Sequence, residues 1–323
     1  MKKILVLGGT KFIGRNLVEK LIFLDKYDVT LFNRQKTDST LFPELTLLKG
    51  DRETDEVSQF TNQYWDCVID LSCFFPNSLE KLLNDLEGKI GRYIFISTLS
   101  VYELDKNLLE FNIKEDFQTL SCNESEKSDI TMSTYGKRKA ECERVLLKAK
   151  WLNKIILRPS IVYGKYDDTD RFYYWLYKAK KQKTIIIPGH VSDKITLTFV
   201  SDLIDIIIQS IEITNHSTLY NVPTHKPLTL SEIIKTIKMN INLVNINSET
   251  LIDNGLLPEK DIPLWFDSPL MLSDEKLKLD FKILNSFEES INQSIAYFSK
   301  LNWPEPKNNI DANKENDLIQ SFC

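Results

Sequence analysis

The stretch Ile4-Leu5-Val6-Leu7-Gly8-Gly9-Thr10-Lys11-Phe12-Ile13-Gly14 decides how the chain is read. An unbroken apolar run closed by two glycines fits a short strand buried on both faces and ending in a tight turn. Leu17, Val18, Leu21 and Ile22 then recur at helical spacing, so the turn leads into an amphipathic helix. Strand, glycine turn and helix in that order gather free backbone N–H groups and the positive helix end at one point, where a pyrophosphate can sit. Gly8 and Gly9 allow the turn, and Gly14 lets the helix pack closely on the strand. Thr10, Lys11, Phe12 and Ile13 complete this candidate cofactor loop. Met1-Lys2-Lys3 before the apolar run mimics the start of a signal peptide, but the run stops at Gly8, short of the roughly 7–15 apolar residues such a segment needs.

Further apolar runs follow at 28–32, 45–49, 66–71, 91–96 and 154–158, with helix-period segments clearest at 13–24, 78–87 and 134–150. Alternating strands and helices, with strands apolar on both faces, predict an α/β fold of the Rossmann type: a doubly wound parallel sheet covered on both sides. After Gly164 the alternation loosens. The spacing predicts helices over 168–181, 202–213, 229–240 and 286–300, and a short strand at 185–187. The expected organisation is a dinucleotide-binding domain over 1–165 plus 196–225, a smaller discontinuous α+β substrate lobe over 166–195 plus 226–303, and a flexible tail from 304 to 323.

About 20 residues after the glycine turn, dinucleotide folds place the residue that reads the adenosine ribose. Here the second strand ends in Asn33-Arg34, a neutral amide and a guanidinium where a carboxylate would select NAD. With Lys11 in the turn itself, two cations and no acid favour NADP(H), NAD(H) remaining the alternative. Asp51-Arg52, after the third strand, falls where an adenine-edge contact is expected.

Ser133-Thr134-Tyr135-Gly136-Lys137-Arg138-Lys139 opens a helix in which Tyr135 and Lys139, at i,i+4, share a face. A phenol is a poor acid–base at neutral pH unless a nearby ammonium stabilises its phenolate. The strand 91–96 ends in Ser97-Thr98-Leu99-Ser100, which puts hydroxyls at the carboxyl edge of the sheet, where open α/β folds bind ligands. Thr98 there can bond the substrate oxygen that Tyr135 protonates.

With these motifs in place, and with Leu157-Arg158-Pro159-Ser160-Ile161-Val162-Tyr163-Gly164 and Phe199-Val200-Ser201-Asp202-Leu203 following in order, the chain resembles the extended short-chain dehydrogenase/reductases, the NAD-dependent epimerase/dehydratase family. The resemblance covers roughly residues 1–215. It implies a Rossmann domain with a smaller C-terminal lobe and hydride transfer at a nicotinamide. Tyr135 would be the acid–base, Lys139 the ribose contact and Thr98 the substrate orienter. Ser72, Pro159 and Ile161 would line the cofactor, Ser100 and Arg171 the substrate, and a homodimer would form beside the Tyr135–Lys139 helix.

Three departures narrow the function. Lys11 stands where the family's turn has its middle glycine, a feature resembling an atypical branch that includes isoflavone-reductase-like proteins and the chloroplast stem-loop-binding proteins. Leu99-Ser100 replace the Asp-Glu pair that follows the threonine in sugar 4,6-dehydratases, so sugar dehydration is rejected. Ile161 replaces an asparagine common in nucleotide-sugar epimerases, and no arginine follows Arg171, so the clamp for a sugar diphosphate is weak. The leading expectation is therefore an oxidoreductase moving a hydride between nicotinamide and a carbonyl or secondary alcohol. The alternatives are a nucleotide-sugar epimerase with a retained cofactor, and a non-catalytic dinucleotide- or RNA-binding protein on the same fold.

The remaining residues bound the reading. Over 323 residues the hydrophobic share is 42% and the charged share 27%, which excludes a disordered chain. The net charge of −5 gives no footprint for nucleic acid, and no apolar run reaches the roughly 18–20 residues that span a bilayer. The five cysteines, Cys67, Cys73, Cys122, Cys142 and Cys323, form no CxxC and point to a reducing cytoplasm. The three histidines lack metal-site spacing, so no metal is expected. His190 is a weak candidate substrate contact in a loop. Phe172-Tyr173-Tyr174-Trp175 with Tyr177 reads as core packing or a lobe contact ahead of a substrate-pocket lining, and Cys73 as a small buried residue ahead of a nucleophile.

Overall fold

The computed structural model describes every residue except 39, 105–111, 190–192, 215, 217, 267–268 and 323. His190 and Cys323 therefore lie outside the described residues. Strand β1 (Lys2–Leu7) is followed by α1 (Phe12–Leu24), β2 (Tyr27–Asn33), β3 (Thr46–Lys49), the single turn α2 (Ser58–Thr61), β4 (Cys67–Asp70), α3 (Pro76–Asp85), β5 (Tyr93–Ile96), α4 (Tyr135–Lys148) and β6 (Lys154–Pro159). Beyond them come β7 (Ile161–Tyr163), α5 (Tyr173–Lys181), β8 (Thr184–Pro188), β9 (Lys194–Ile195), β10 (Leu197–Phe199), α6 (Val200–Glu212) and β11 (Leu219–Val222). The chain continues through β12 (Leu228–Thr229), α7 (Leu230–Ile237), β13 (Asn242–Ile246), α8 (Ser248–Asp253), α9 (Glu275–Asp280), α10 (Phe287–Lys300) and α11 (Ala312–Phe322).

The large sheet has seven parallel strands in the order β11-β6-β5-β4-β1-β2-β3. This is the Rossmann arrangement: the order reverses between β1 and β4, the switch point at whose carboxyl ends sheets of this topology bind their ligands. Both faces are covered. Leu17, Val18 and Leu21 of α1 pack with Leu203 and Ile207 of α6 on one side, and Leu79 and Leu82 of α3 with Cys142 and Leu146 of α4 on the other. Each of the six strands expected in the first half is present; β1, β2, β4, β5 and β6 hold buried runs that only a layered sheet can cover, while the edge strand β3 keeps Thr46 and Lys49 exposed.

The later elements build a second core. Tyr163, Phe172, Tyr174, Trp175, Ile185, Ile233, Leu251 and Trp265 are buried together in it, and β8 pairs with β13 in parallel. The aromatic run after Asp170 is thus core. Its helix starts at Tyr173 rather than 168, since Asp170 takes a left-handed φ of 59° and Asp167 folds back on the Thr169 amide. Helices α7 and α10 begin where expected, each with a capping box: Thr229 with Glu232 and Ser286 with Glu289.

Residues 304–323, expected as a loose tail, instead carry α11, whose Leu318 and the preceding Ile310 enter the second core. Lys178 of α5 is buried and needs an anion. Glu315 supplies it at 2.6 Å, and the Gln182 side-chain amide donates to the same carboxylate at 2.7 Å. The polar, asparagine-rich composition concealed this buried face. Among the described residues no helix is long and apolar enough to cross a membrane.

Candidate active site

The glycine turn lies at the carboxyl end of β1. Gly8 and Gly9 take φ values of +112° and +98°, which side chains rarely tolerate. A Cβ on Gly14 would fall 2.7 Å from the Gly9 Cα, so only glycine lets α1 sit this close to the turn. The residue preceding the helix, Lys11, provides no side-chain cap, and the first turn holds no acid. The helix end therefore keeps N–H groups and positive potential for an outside anion. Thr10, Lys11, Phe12 and Ile13 all belong to this cradle, with Lys11 exposed. The turn fits a dinucleotide pyrophosphate on these grounds.

The adenosine side differs in part from expectation. The Asn33 side chain is occupied within the protein: Nδ2 donates to Gly8 O at 3.2 Å, and Oδ1 accepts from the Gln35 amide at 2.8 Å. It braces the turn instead of offering a free ribose contact. Arg34 is 59% exposed, with Nη1 3.8 Å from Asp51 Oδ2, a pair worth little at such exposure.

Arg52, expected at the adenine edge, turns inward. Its side chain is 8% exposed, and Nη1 meets both oxygens of Asp70 at 2.7 and 2.8 Å. The Tyr93 hydroxyl and the Ser72 amide also donate to that carboxylate, at 2.5 and 3.1 Å. Burial opposes ionisation of Asp70, but the Arg52 cation and these donors hold its carboxyl below the ordinary range. A buried Asp70 at the end of β4 needs a cation, which explains why Arg52 turns in from the surface.

Tyr135 is the first residue of α4, half-buried, its ring 6.0 Å from Phe74. Lys139, one turn on, is buried. Its Nζ donates to Ile96 O at 2.6 Å and Cys73 O at 3.1 Å, over the Phe95 ring. Two of its three donors are thus committed to the end of β5 and to the segment after β4, and among the described residues one remains. Thr98 caps the short turn after β5, its oxygen accepting from the Ser100 amide at 3.2 Å, while Ser100 is exposed. Gly136 is a residue the sequence reading passed over. A Cβ there would lie 2.0 Å from Ser100 O, so a glycine after Tyr135 is what lets α4 start against the Thr98 turn.

A buried network behind this edge was also missed. Glu143 of α4 pairs with Arg158 of β6 at 2.5 Å and accepts from Ser97 Oγ at 2.5 Å, next to Thr98. Arg158 Nη1 donates to the Tyr102 hydroxyl at 2.7 Å. The signal was available: an arginine inside an otherwise apolar strand must find a buried partner.

Pro159 and Ile161 flank the crossing from the large sheet to the second core, where Ile161 is buried. Arg171 lies on the loop after Gly164. That loop is tied to α1 through Asn16 Nδ2 donating to Lys165 O at 2.8 Å and through Arg15 over the Tyr166 ring. On the same loop, burial raises the Asp167 carboxyl to about 6, with Arg171 pulling the other way. Asp202 is engaged locally, accepting from the amides of Leu284 and Asn285.

A family model described as the NAD dependent epimerase/dehydratase family matches residues 4–222. The chain is 28% identical over 221 residues to the chloroplast stem-loop binding protein of 41 kDa b of Arabidopsis thaliana, covering 60% of this chain and 53% of that protein. It thus spans about half the length of that relative. It is 26% identical over 264 residues to dTDP-4-dehydro-6-deoxyglucose reductase of Escherichia coli, covering 74% of this chain and 82% of that one. Among solved structures, UDP-glucuronic acid 4-epimerase from Bacillus cereus in complex with NAD superposes with a TM-score of 0.68 at 18% identity, over 94% of this chain and all of that one.

Proposed function

The chain belongs to the NAD dependent epimerase/dehydratase family, and we propose that within it the protein is an oxidoreductase that reduces a carbonyl, or oxidises the matching secondary alcohol, with NADP(H) preferred. The observation that carries this reading is Tyr135 and Lys139 on one face of α4, with the lysine anchored at the end of β5 and the segment after β4, beside the Thr98 turn. The proposal includes the division into a dinucleotide half and a substrate lobe, and the kinship with the isoflavone-reductase-like branch.

The glycine turn and the α1 N-terminus would hold the pyrophosphate, Ser72 and Pro159 would flank the cofactor, and the third donor of Lys139 would take a ribose hydroxyl. When bound, the nicotinamide supplies or accepts the hydride. Tyr135 gives its phenolic proton to the substrate oxygen as the carbonyl is reduced, and recovers it in the reverse direction. The Thr98 hydroxyl holds that same oxygen and so fixes the reacting carbon. Ser100 and Arg171 would face the rest of the substrate.

Net reduction is favoured over epimerisation because the chain has no arginine after Arg171 to clamp a sugar diphosphate. The Escherichia coli relative at 26% identity carries the name of a reductase. The acidic net charge of −5 speaks against an RNA-binding role.

Cofactor choice is tested by equilibrium binding. Lys11 and Arg34 are both exposed beside the turn, so NADPH is expected to bind at least about tenfold tighter than NADH, a difference of about 1.4 kcal/mol. Arg34→Ala should erase most of that ratio by weakening NADPH alone. Equal affinities for the two cofactors in the unaltered protein would refute the preference.

A further inference from the structure

Cys73 and Cys142 face each other at 3.8 Å between their sulfurs, although 69 residues separate them in the chain. Both are fully buried. Cys73 lies in the irregular segment after β4, and Cys142 lies on α4, on the face that also carries Tyr135 and Lys139. The reading of the site above uses neither thiol.

We propose that Cys73 and Cys142 are an oxidisable dithiol, a modification site at which hydrogen peroxide closes an intramolecular disulfide between the β4 edge and helix α4. Cys73 attacks one peroxide oxygen, becoming a sulfenic acid as the other oxygen leaves and takes a proton to form water. The Cys142 sulfur then displaces the sulfenic hydroxyl, which leaves as a second water. Two thiols and one peroxide thus become one disulfide and two waters; the sulfurs together lose two electrons and the peroxide gains them.

The surroundings favour Cys73 as the attacking sulfur. Burial alone would push its thiol up, but the hydrogen bond shared with the Cys142 thiol and the Arg52 and Lys139 cations turn the balance and hold it below the ordinary cysteine value. Hydrogen bonding to Cys73, then burial, pushes Cys142 the other way. Cys73 belongs to the irregular stretch 71–75, whose Phe74 is 41% exposed.

The bond would act on the cofactor edge. The sulfurs must close from 3.8 Å to about 2.05 Å, drawing the segment around Cys73 toward α4. That segment carries the Cys73 carbonyl that anchors Lys139 at 3.1 Å. It also carries Leu71 and Ser72, whose Cβ atoms lie 3.4 and 3.6 Å from where a Cβ on Gly8 would be. A displacement of about 1 Å at such a site can cost on the order of 100-fold. The effect on dinucleotide binding rests on the proposed cofactor reading; the bond itself does not.

The test treats the full chain with graded hydrogen peroxide, alkylates the remaining thiols and maps the peptides by mass. The expected result is a Cys73–Cys142 linked peptide, lighter by two hydrogens and separated again by dithiothreitol. NADP⁺ binding should weaken by at least roughly tenfold in the linked form and recover on reduction. Cys142→Ser, and independently Cys142→Ala, should bind NADP⁺ normally and lose the sensitivity to peroxide. Oxidation confined to Cys122, with Cys73 and Cys142 still open to alkylation after unfolding, would overturn the proposal. A link that leaves NADP⁺ binding unchanged would overturn its action on the cofactor edge. If the reduced protein binds no dinucleotide at all, the cofactor reading fails, and the peptide map still decides the disulfide.

Discussion

Replacing Tyr135 by phenylalanine should lower turnover on the order of 1,000-fold and leave NADPH affinity within about twofold, since a positioned general acid contributes roughly 10²–10⁴. The variant removes one hydroxyl and keeps the ring that sits 6.0 Å from Phe74 at the start of α4. It also leaves Gly136 free to pack on Ser100 O and Lys139 on the Ile96 and Cys73 carbonyls. The thermal midpoint should therefore stay within a degree or two of the unaltered protein. Loss of rate with intact binding and fold identifies proton transfer. A parallel fall in NADPH affinity and thermal midpoint would mean that Tyr135 serves only to hold α4 in place.

Arg158→Met is expected to be the most damaging single change to the fold. Arg158 is buried, with Nε donating to Glu143 at 2.9 Å, Nη2 at 2.5 Å, and Nη1 donating to the Tyr102 hydroxyl and to Glu115 O. Without the guanidinium, Glu143 becomes a buried carboxylate whose one remaining close donor among the described residues is the Ser97 hydroxyl. Breaking such a pair from one side costs on the order of 3–5 kcal/mol, which calorimetry would show as a fall of roughly 5 °C in a chain of 323 residues. Removing both charges is far milder, because a buried pair is often neutral against an apolar one. Arg158→Met with Glu143→Leu should thus recover most of the lost stability. Ser97 precedes Thr98, so the single variant should also lose rate through a displaced hydroxyl, and the double variant should regain part of it. If the double variant is no more stable than the single one, the damage does not come from the orphaned carboxylate.

How much was legible in the sequence follows from where each feature draws its energy. Strands β1, β2, β4, β5 and β6 could be read because each carries a buried run, and only a covered parallel sheet buries such runs, while the edge strand β3 keeps Thr46 and Lys49 exposed and was legible from its leucines alone. Local chemistry also carried: Thr229 and Ser286 announce their helices by capping geometry confined to a few residues. Features built from distant partners were hidden. Arg52 looks like a surface residue until Asp70, 18 residues on, is known to need its charge. Asn33 looks free until its amide is seen bracing Gly8. Helix α11 is written in asparagines and acids, and its docking depends on Lys178, 137 residues earlier. The short strands β7, β9, β10 and β12 have two or three residues each, too few to show a period. At the candidate site the chemical groups were visible as motifs, whereas the steric need for Gly136 required the position of Ser100 O.

The most direct test of the central claim is the stoichiometry of NADPH oxidation. Desalted protein is mixed with NADPH and a panel of aldehydes, ketones and nucleoside diphosphate keto-sugars, and cofactor and organic products are counted together. The account predicts protein that is free of nucleotide after desalting and one NADPH consumed for each carbonyl reduced, with Tyr135→Phe inactive on the same substrate. Protein that carries its nicotinamide through desalting, and interconverts a sugar with no net oxidation, would contradict it.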